Sequence, residues 1–149
     1  MQTFLPFESI PLSICILDRQ RLGKQRVEAM QILKSLENPL YGYRHHPVKL
    51  LWRNHIDALK LYHNICLEQW ESRGYVNNMM YYDLPDAIML PKFSPQLHMS
   101  HASNLLRKDY AYYSQFVHCA DDMEYVWEEP IGEQLVRRNI SEGLYVYGV

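Results

Sequence analysis

Residues 17–33, LDRQRLGKQRVEAMQIL, gather their apolar side chains on one side when wound at about 100° per residue. Leu22, Ala29, Leu33 and Leu36 fall together, and Cys15 joins them if the helix is extended backwards. The spacing predicts a first helix from about Leu12 to Leu36, closed by Asn38 and Pro39. Before it, MQTFLPFESIPLS is broken by prolines and reads as an extended lead-in, with Ser9 or Ser13 to cap the helix. Gly23 interrupts the helix at a cost of about 1 kcal/mol against Ala, which suits either a close approach to the backbone or a contact with another helix.

Prolines and glycines punctuate the rest. YGYRHHP reads as a turn, Pro47 as the first residue of a second helix, and Gly74 as its stop after Arg73. Leu51, Ile56, Leu59, Ile65 and Leu67 give that helix its apolar side, with Trp52, Tyr62 and Trp70 at the margins. Residues 75–97 carry Pro85, Pro91 and Pro95 and read as a long irregular connection, of a length that is often functional. A third helix is expected from about Ser100 to His118, a short one after Pro130, and then the Gly-flanked end GLYVYGV. With no strand meander or internal repeat, the expected fold is all-α: one compact domain over 1–149, three to four helices joined by long loops, with an acidic segment at 121–149.

Cys15, Cys66 and Cys119 are isolated and odd in number, so they suggest neither a disulfide framework nor a zinc site. No stretch reads as a signal peptide, and no apolar run nears the roughly 18 residues of a membrane span. The expected protein is therefore soluble, cytoplasmic and monomeric, without membrane partner, metal or organic cofactor. A net charge of −2 argues against nucleic acid until its distribution is seen. Residues 1–120 hold 13 of the 15 bases and 10 of the 17 acids, a balance of +3, whereas 121–149 are at −5.

Three clusters could carry chemistry. On the first helix Arg21, Lys24, Gln25 and Glu28 share one polar arc, while Arg19 and Arg26 lie on the opposite flank of the apolar stripe. That arc is either an exposed face laced with ion pairs or a phosphate-gripping surface built around a carboxylate. The second cluster, YRHHPVKLLWRNH, contributes Arg44, His45, His46, Lys49, Arg53 and His55; Lys49 and Arg53 share a helical face suited to phosphates. The third, LHMSHASNLLRKDYAYYSQF, interleaves His98, His101, Arg107 and Lys108 with tyrosines, a mixture in which cations take phosphates and rings stack on unpaired bases. The two histidines lack an obvious third ligand. P-loop, G-x-G-x-x-G, H-E-x-x-H and G-x-S-x-G patterns are all missing, so the chemistries they serve have no support.

Taken in order, TFLPF, LDRQRLGKQRVEAMQIL, HPVKLLW, EQWESRGY, LHMSHASNLLRKD and YVW resemble the small phage and bacterial proteins grouped with the pyrimidine-dimer DNA glycosylases of the endonuclease V type. The similarity spans most of residues 1–127. It implies an all-α domain that acts on damaged double-stranded DNA, flipping a nucleotide out of a kinked duplex. It also implies a mechanism: an N-terminal α-amine attacks C1′ of the damaged nucleotide, an imine forms as the base leaves, and β-elimination nicks the strand. A helix-one carboxylate supports the cationic sugar. Glu28 matches that carboxylate, with Asp18 in reserve, and Arg19, Arg21, Arg26, Lys49, Arg53, His101, Arg107 and Lys108 are the expected DNA contacts. An α-amine, with an ordinary pKa of about 7.7 to 8.0, is partly neutral at pH 7. Gln2 is large enough to leave Met1 in place, so the amine is that of Met1, or Lys24 substitutes for it, or the lyase step is lost. Two other functions stay open: a non-catalytic module whose acidic end engages a basic partner, and a glycosylase for a different modified base.

Overall fold

A computed structural model describes residues 1–43, 45–139 and 146–148. Arg44 of the YGYRHHP turn and much of the GLYVYGV end lie outside the described residues. The helices are α1 (Ile10–Cys15), α2 (Arg19–Glu37), α3 (Lys49–Trp52), α4 (Ile56–Ser72), α5 (Pro95–Lys108) and α6 (Tyr110–Tyr113). Three strands accompany them: β1 (Ala87–Lys92), β2 (Gly132–Asn139) and β3 (Val146–Gly148).

The expected first helix is in fact two. Ile16 ends α1, and Asp18, in extended conformation, opens α2. Between them the chain turns to bury Ile16 and Leu17. This break resets the helical phase, so Cys15 is exposed rather than in line with Leu22. From Leu22 onward Leu22, Ala29 and Leu33 of the stripe are closed to solvent, joined by Ile32, while Leu36 at the helix end is half-buried. Each such Leu or Ile is worth about 1.5–3 kcal/mol of burial. Gly23 serves the helix contact: a Cβ there would meet the Trp70 ring of α4 at 3.4 Å.

The second helix is likewise divided into α3 and α4. It stops where Gly74 takes φ +88°, Tyr75 N–H reaching Trp70 O and Gly74 N–H reaching Glu71 O. The third starts earlier than the pattern implied, because Ser94 caps it through Leu97 N–H and Pro95 opens it.

The all-α expectation is overturned by the antiparallel sheet of order β1–β2–β3. Ala87 pairs with Arg137 and Lys92 with Gly132, so the proline-rich connection contains a strand and the segment after Pro130 is a strand instead of a short helix. Pro91 is tolerated because β1 is an edge strand. Only Ile88 and Val136 of this pair are buried, which gives neither segment a clear alternation to read. Their separation along the chain also removes any hairpin signal.

Two extended segments matter for the site. Gln2, Thr3, Phe4 and Leu5 are buried beneath the helices, unusual for a chain start. Residues 121–131 lie along α5 as a strap. Ser100, Ser103, Asn104 and Arg107, spaced i, i+3, i+4 and i+7 on one face, bond its backbone: Ser100 Oγ accepts from Val126 N–H, Ser103 Oγ accepts from Met123 N–H, and Asn104 and Arg107 donate to Met123 O. Glu128 then accepts from Ser94 N–H and Glu129 pairs with Arg53.

Candidate active site

The lead-in is threaded through the core by side chains that answer its backbone groups one by one. Gln25, on the inward edge of α2, does most of this. Its amide nitrogen donates to Gln2 O at 2.8 Å and to Glu28 Oε2 at 3.1 Å, and its oxygen accepts from Phe4 N–H at 2.8 Å and from the Tyr62 hydroxyl at 2.6 Å. Every polar site of that amide is filled. Leu5 N–H donates to His101 Nδ1 at 2.9 Å, and Leu5 O lies 2.6 Å from His98 Nδ1. Trp52 Nε1 donates to Thr3 Oγ1.

The result is a fixed start to the chain. Gln2 N–H donates to Glu28 Oε2 at 3.2 Å. Covalent geometry keeps an α-amine within roughly 3.7 Å of the next residue's nitrogen, so the Met1 amine and the Glu28 carboxylate are near neighbours. Met1 has no hydrogen-bond or ion-pair partner among the described residues. Both line a cleft of about 230 Å³ together with Gln2, Phe4, Gln20, Arg21, Lys24, Gln25, Lys108 and Tyr125. The lining combines three cations, Arg21, Lys24 and Lys108, with two aromatic rings, Phe4 and Tyr125, 6.3 Å apart between ring centres. Burial, reinforced by the charge of Glu28, pushes the Tyr125 phenol up to about 12, so at neutral pH it is a hydrogen-bond donor. His46, edge-on to Trp127, is lowered by burial and by the positive N-terminus.

A family model described as pyrimidine dimer DNA glycosylase matches residues 1–83, over half of the chain and the part that supplies Met1, Lys24 and Glu28. The chain belongs to that family. Searches of curated proteins and of solved structures find no match. Membership in the pyrimidine dimer DNA glycosylase family implies a DNA glycosylase with DNA as its substrate.

In this glycosylase-family chain the residues singled out from the sequence divide into two groups. Met1, Arg21, Lys24, Glu28 and Lys108 meet at the cleft. Arg19 is exposed beside it, in an open groove shared with Lys24, Glu28 and Trp70, and lies 5.1 Å from the Tyr75 ring centre. Asp18 belongs to that groove too, yet its carboxylate accepts from the Tyr113 hydroxyl and pairs with Arg21 at 3.2 Å, which makes it a fixed anchor for α2.

The others are placed elsewhere. Arg26 turns toward α4, its guanidinium 3.9 Å from the Trp70 ring centre with Nε and Nη1 buried, so it is a packing cation and not a phosphate grip. His101 is closed to solvent and its pKa falls to about 3 through burial, leaving it neutral and out of reach of a phosphate. Lys49 donates to Ser35 O, Arg53 pairs with Glu129, and Arg107 spends its guanidinium on Asp121 O, Met123 O and Asn104 Oδ1. These three hold the chain together. Among the described residues no group of three or more His, Cys, Asp or Glu is placed to hold a metal ion, and no helix is long and apolar enough to cross a membrane.

Gln25, Tyr62 and Tyr125 escaped attention as site residues. Gln25 had a signal: of the polar arc it is closest in phase to Leu22 and Ala29, so it faces inward. Tyr125 had only its place in the YVW segment of the resemblance, since the strap that delivers it shows no periodicity.

Proposed function

We propose that this chain is a DNA N-glycosylase with associated AP lyase activity on UV-induced pyrimidine dimers, using the Met1 α-amine as nucleophile. What carries the reading is the cleft in which an unpartnered amine lies near Glu28 and three cations share the lining. Arg21, Lys24 and Lys108 neutralise the phosphates flanking the lesion, and Arg19 extends that surface along α2. A nucleotide flipped from the duplex enters with its sugar between the amine and the carboxylate.

In the neutral form the amine attacks C1′. The C1′–N bond breaks, its electron pair leaves on the base, and the nitrogen becomes an imine with the opened sugar. Loss of a C2′ proton then expels the 3′ phosphate and nicks the strand. Glu28, held by Gln2 N–H and Gln25, stays in place to balance positive charge on the sugar and to carry protons. Gln25 fixes the distance between the two reacting groups. Lys24 shares the cleft, but the Met1 amine is the group that follows directly from the Gln2 N–H bonded to Glu28, which makes it the proposed nucleophile. The rival binding-module reading leaned on a free acidic segment, yet Glu128, Glu129 and Glu133 are engaged by Ser94 N–H, Arg53 and His55.

Borohydride reduction in the presence of an abasic-site duplex tests the reading. A covalent adduct whose DNA mass maps to the Met1 peptide is expected. Absence of any adduct would remove the lyase mechanism, and an adduct on the Lys24 peptide would move the nucleophile.

A further inference from the structure

Tyr125 lines the cleft and nothing in the mechanism above employs it. Its ring is fixed on three sides, by Phe4 at 6.3 Å, His101 at 5.8 Å and Trp127 at 5.4 Å between ring centres. The strap that carries it is tied down on both flanks, at Met123 by Asn104 and Arg107 and at Val126 by Ser100. Its hydroxyl has no hydrogen-bond partner among the described residues, although the residue is half-buried and lines the same cleft as Met1 and Glu28. A phenol held by its ring contacts, with its O–H unpaired among the described residues, is free to donate to a group that enters the cleft.

The chemistry of the lining suits the parts of a nucleotide: the cations Arg21, Lys24 and Lys108 suit phosphates, and the rings of Phe4 and Tyr125 suit a base. Resting on the glycosylase reading, we infer that Tyr125 is a catalytic residue that receives the departing pyrimidine, donating its O–H to the carbonyl oxygen next to the breaking glycosidic bond. As the Met1 nitrogen bonds to C1′, the C1′–N1 pair leaves on the base as an anion shared between N1 and O2. The hydrogen bond from Tyr125 meets that charge where it develops. The proton shed by the attacking nitrogen passes to Glu28, and Tyr125 keeps its own, so a phenol that resists ionisation suits the role. The amine, the carboxylate and the phenol thus address three different atoms of one nucleotide.

Tyr125→Phe keeps the ring contacts and deletes only the donor. The measurement is single-turnover cleavage of the dimer's glycosidic bond in UV-irradiated duplex, read as the free pyrimidine that appears once photoreversal opens the cyclobutane ring, set beside nicking of a duplex that already carries an abasic site and so has no base to expel. Glycosidic cleavage is expected to fall about 100-fold more than abasic-site nicking. Equal losses in the two assays, or no loss in either, would overturn the role, because a phenol that only shapes the cleft acts on both steps alike. A wild-type chain that traps no imine overturns the underlying reading instead, and is seen before any variant is made. Tyr125→Trp, bulky and aromatic with its N–H displaced, is expected to show the same split and guards against a folding defect peculiar to phenylalanine.

Discussion

Replacing Gln25 with methionine tests whether the chain start is held as the hydrogen bonds imply. Methionine matches glutamine in length and volume, so no cavity opens and the packing against Leu22 and Ala29 survives. What is lost is the four-way amide. Tyr62 keeps Phe4 O as acceptor and Glu28 keeps Gln2 N–H, but Phe4 N–H and Gln2 O are left buried without partners. At about 1–3 kcal/mol for each orphaned group, the loss is about 4 kcal/mol. For a chain of this size that lowers the melting temperature by about 8–16 °C, readable by circular dichroism. The catalytic consequence is separate. Residues 1–4 loosen, the amine drifts from Glu28, and a displacement near 1 Å is enough to cost on the order of 100-fold in imine trapping, measured well below the new melting point. A Gln25→Met protein that melts within about 2 °C of wild type and traps at an unchanged rate would refute the claim that this amide positions the nucleophile.

Other expectations follow from single features. Glu28→Gln should lower strand nicking by at least about 100-fold while duplex affinity, read by fluorescence anisotropy, stays within about threefold. Changing Arg21, Lys24 or Lys108 to Gln should each reduce the slope of log affinity against log salt by about 1, whereas changing Arg107 should leave it unaltered. Arg107→Met should instead release the strap, seen as faster proteolytic cutting within residues 121–131. His101 has a folded pKa of about 3 against an ordinary 6.5, so the unfolded chain takes up the proton first. Its contribution to stability is intact above pH 6.5 and falls by about 1.4 kcal/mol for each unit below that, down to about pH 3. Urea unfolding at pH 7 and pH 5 should show a loss of about 2 kcal/mol from this group, and His101→Gln, though weaker at pH 7, should show a shallower dependence.

The apolar repeats of α2 and α4 and their ends at Asn38 and Gly74 were legible, whereas the third helix, expected from Ser100 to His118, starts at Pro95 and breaks at Asp109 into α5 and α6, because the Asp109 side chain caps a new turn. The sheet was not legible: β1 and β2 bury one residue each, Ile88 and Val136, so solvent-facing side chains dominate both segments and the pairing partner is distant. Within the site, Lys24 and Glu28 could be read because one turn of helix brings them together. Arg26 was misread as a phosphate contact because phase says which side of a helix a residue takes, while only packing reveals that Trp70 occupies that side. His101 was misread because a histidine in a basic, tyrosine-rich run looks like surface until Leu5 N–H is found against it. Gln25 shows the converse, a polar residue in an apolar phase that is inside because the backbone it serves is inside.

The strap has one more consequence. The amine and the carboxylate come from residues 1–28, within the stretch that defines the family, whereas Lys108 and Tyr125 arrive from beyond it on α5 and on a segment pinned to α5. The cleft is therefore assembled from two lengths of chain, one supplying Met1, Phe4, Arg21, Lys24 and Glu28 and the other Lys108 and Tyr125. On the proposed reading, exchanging residues 108–127 alone would remove one cation and the phenol from the cleft while Met1 and Glu28 stay where residues 1–28 hold them.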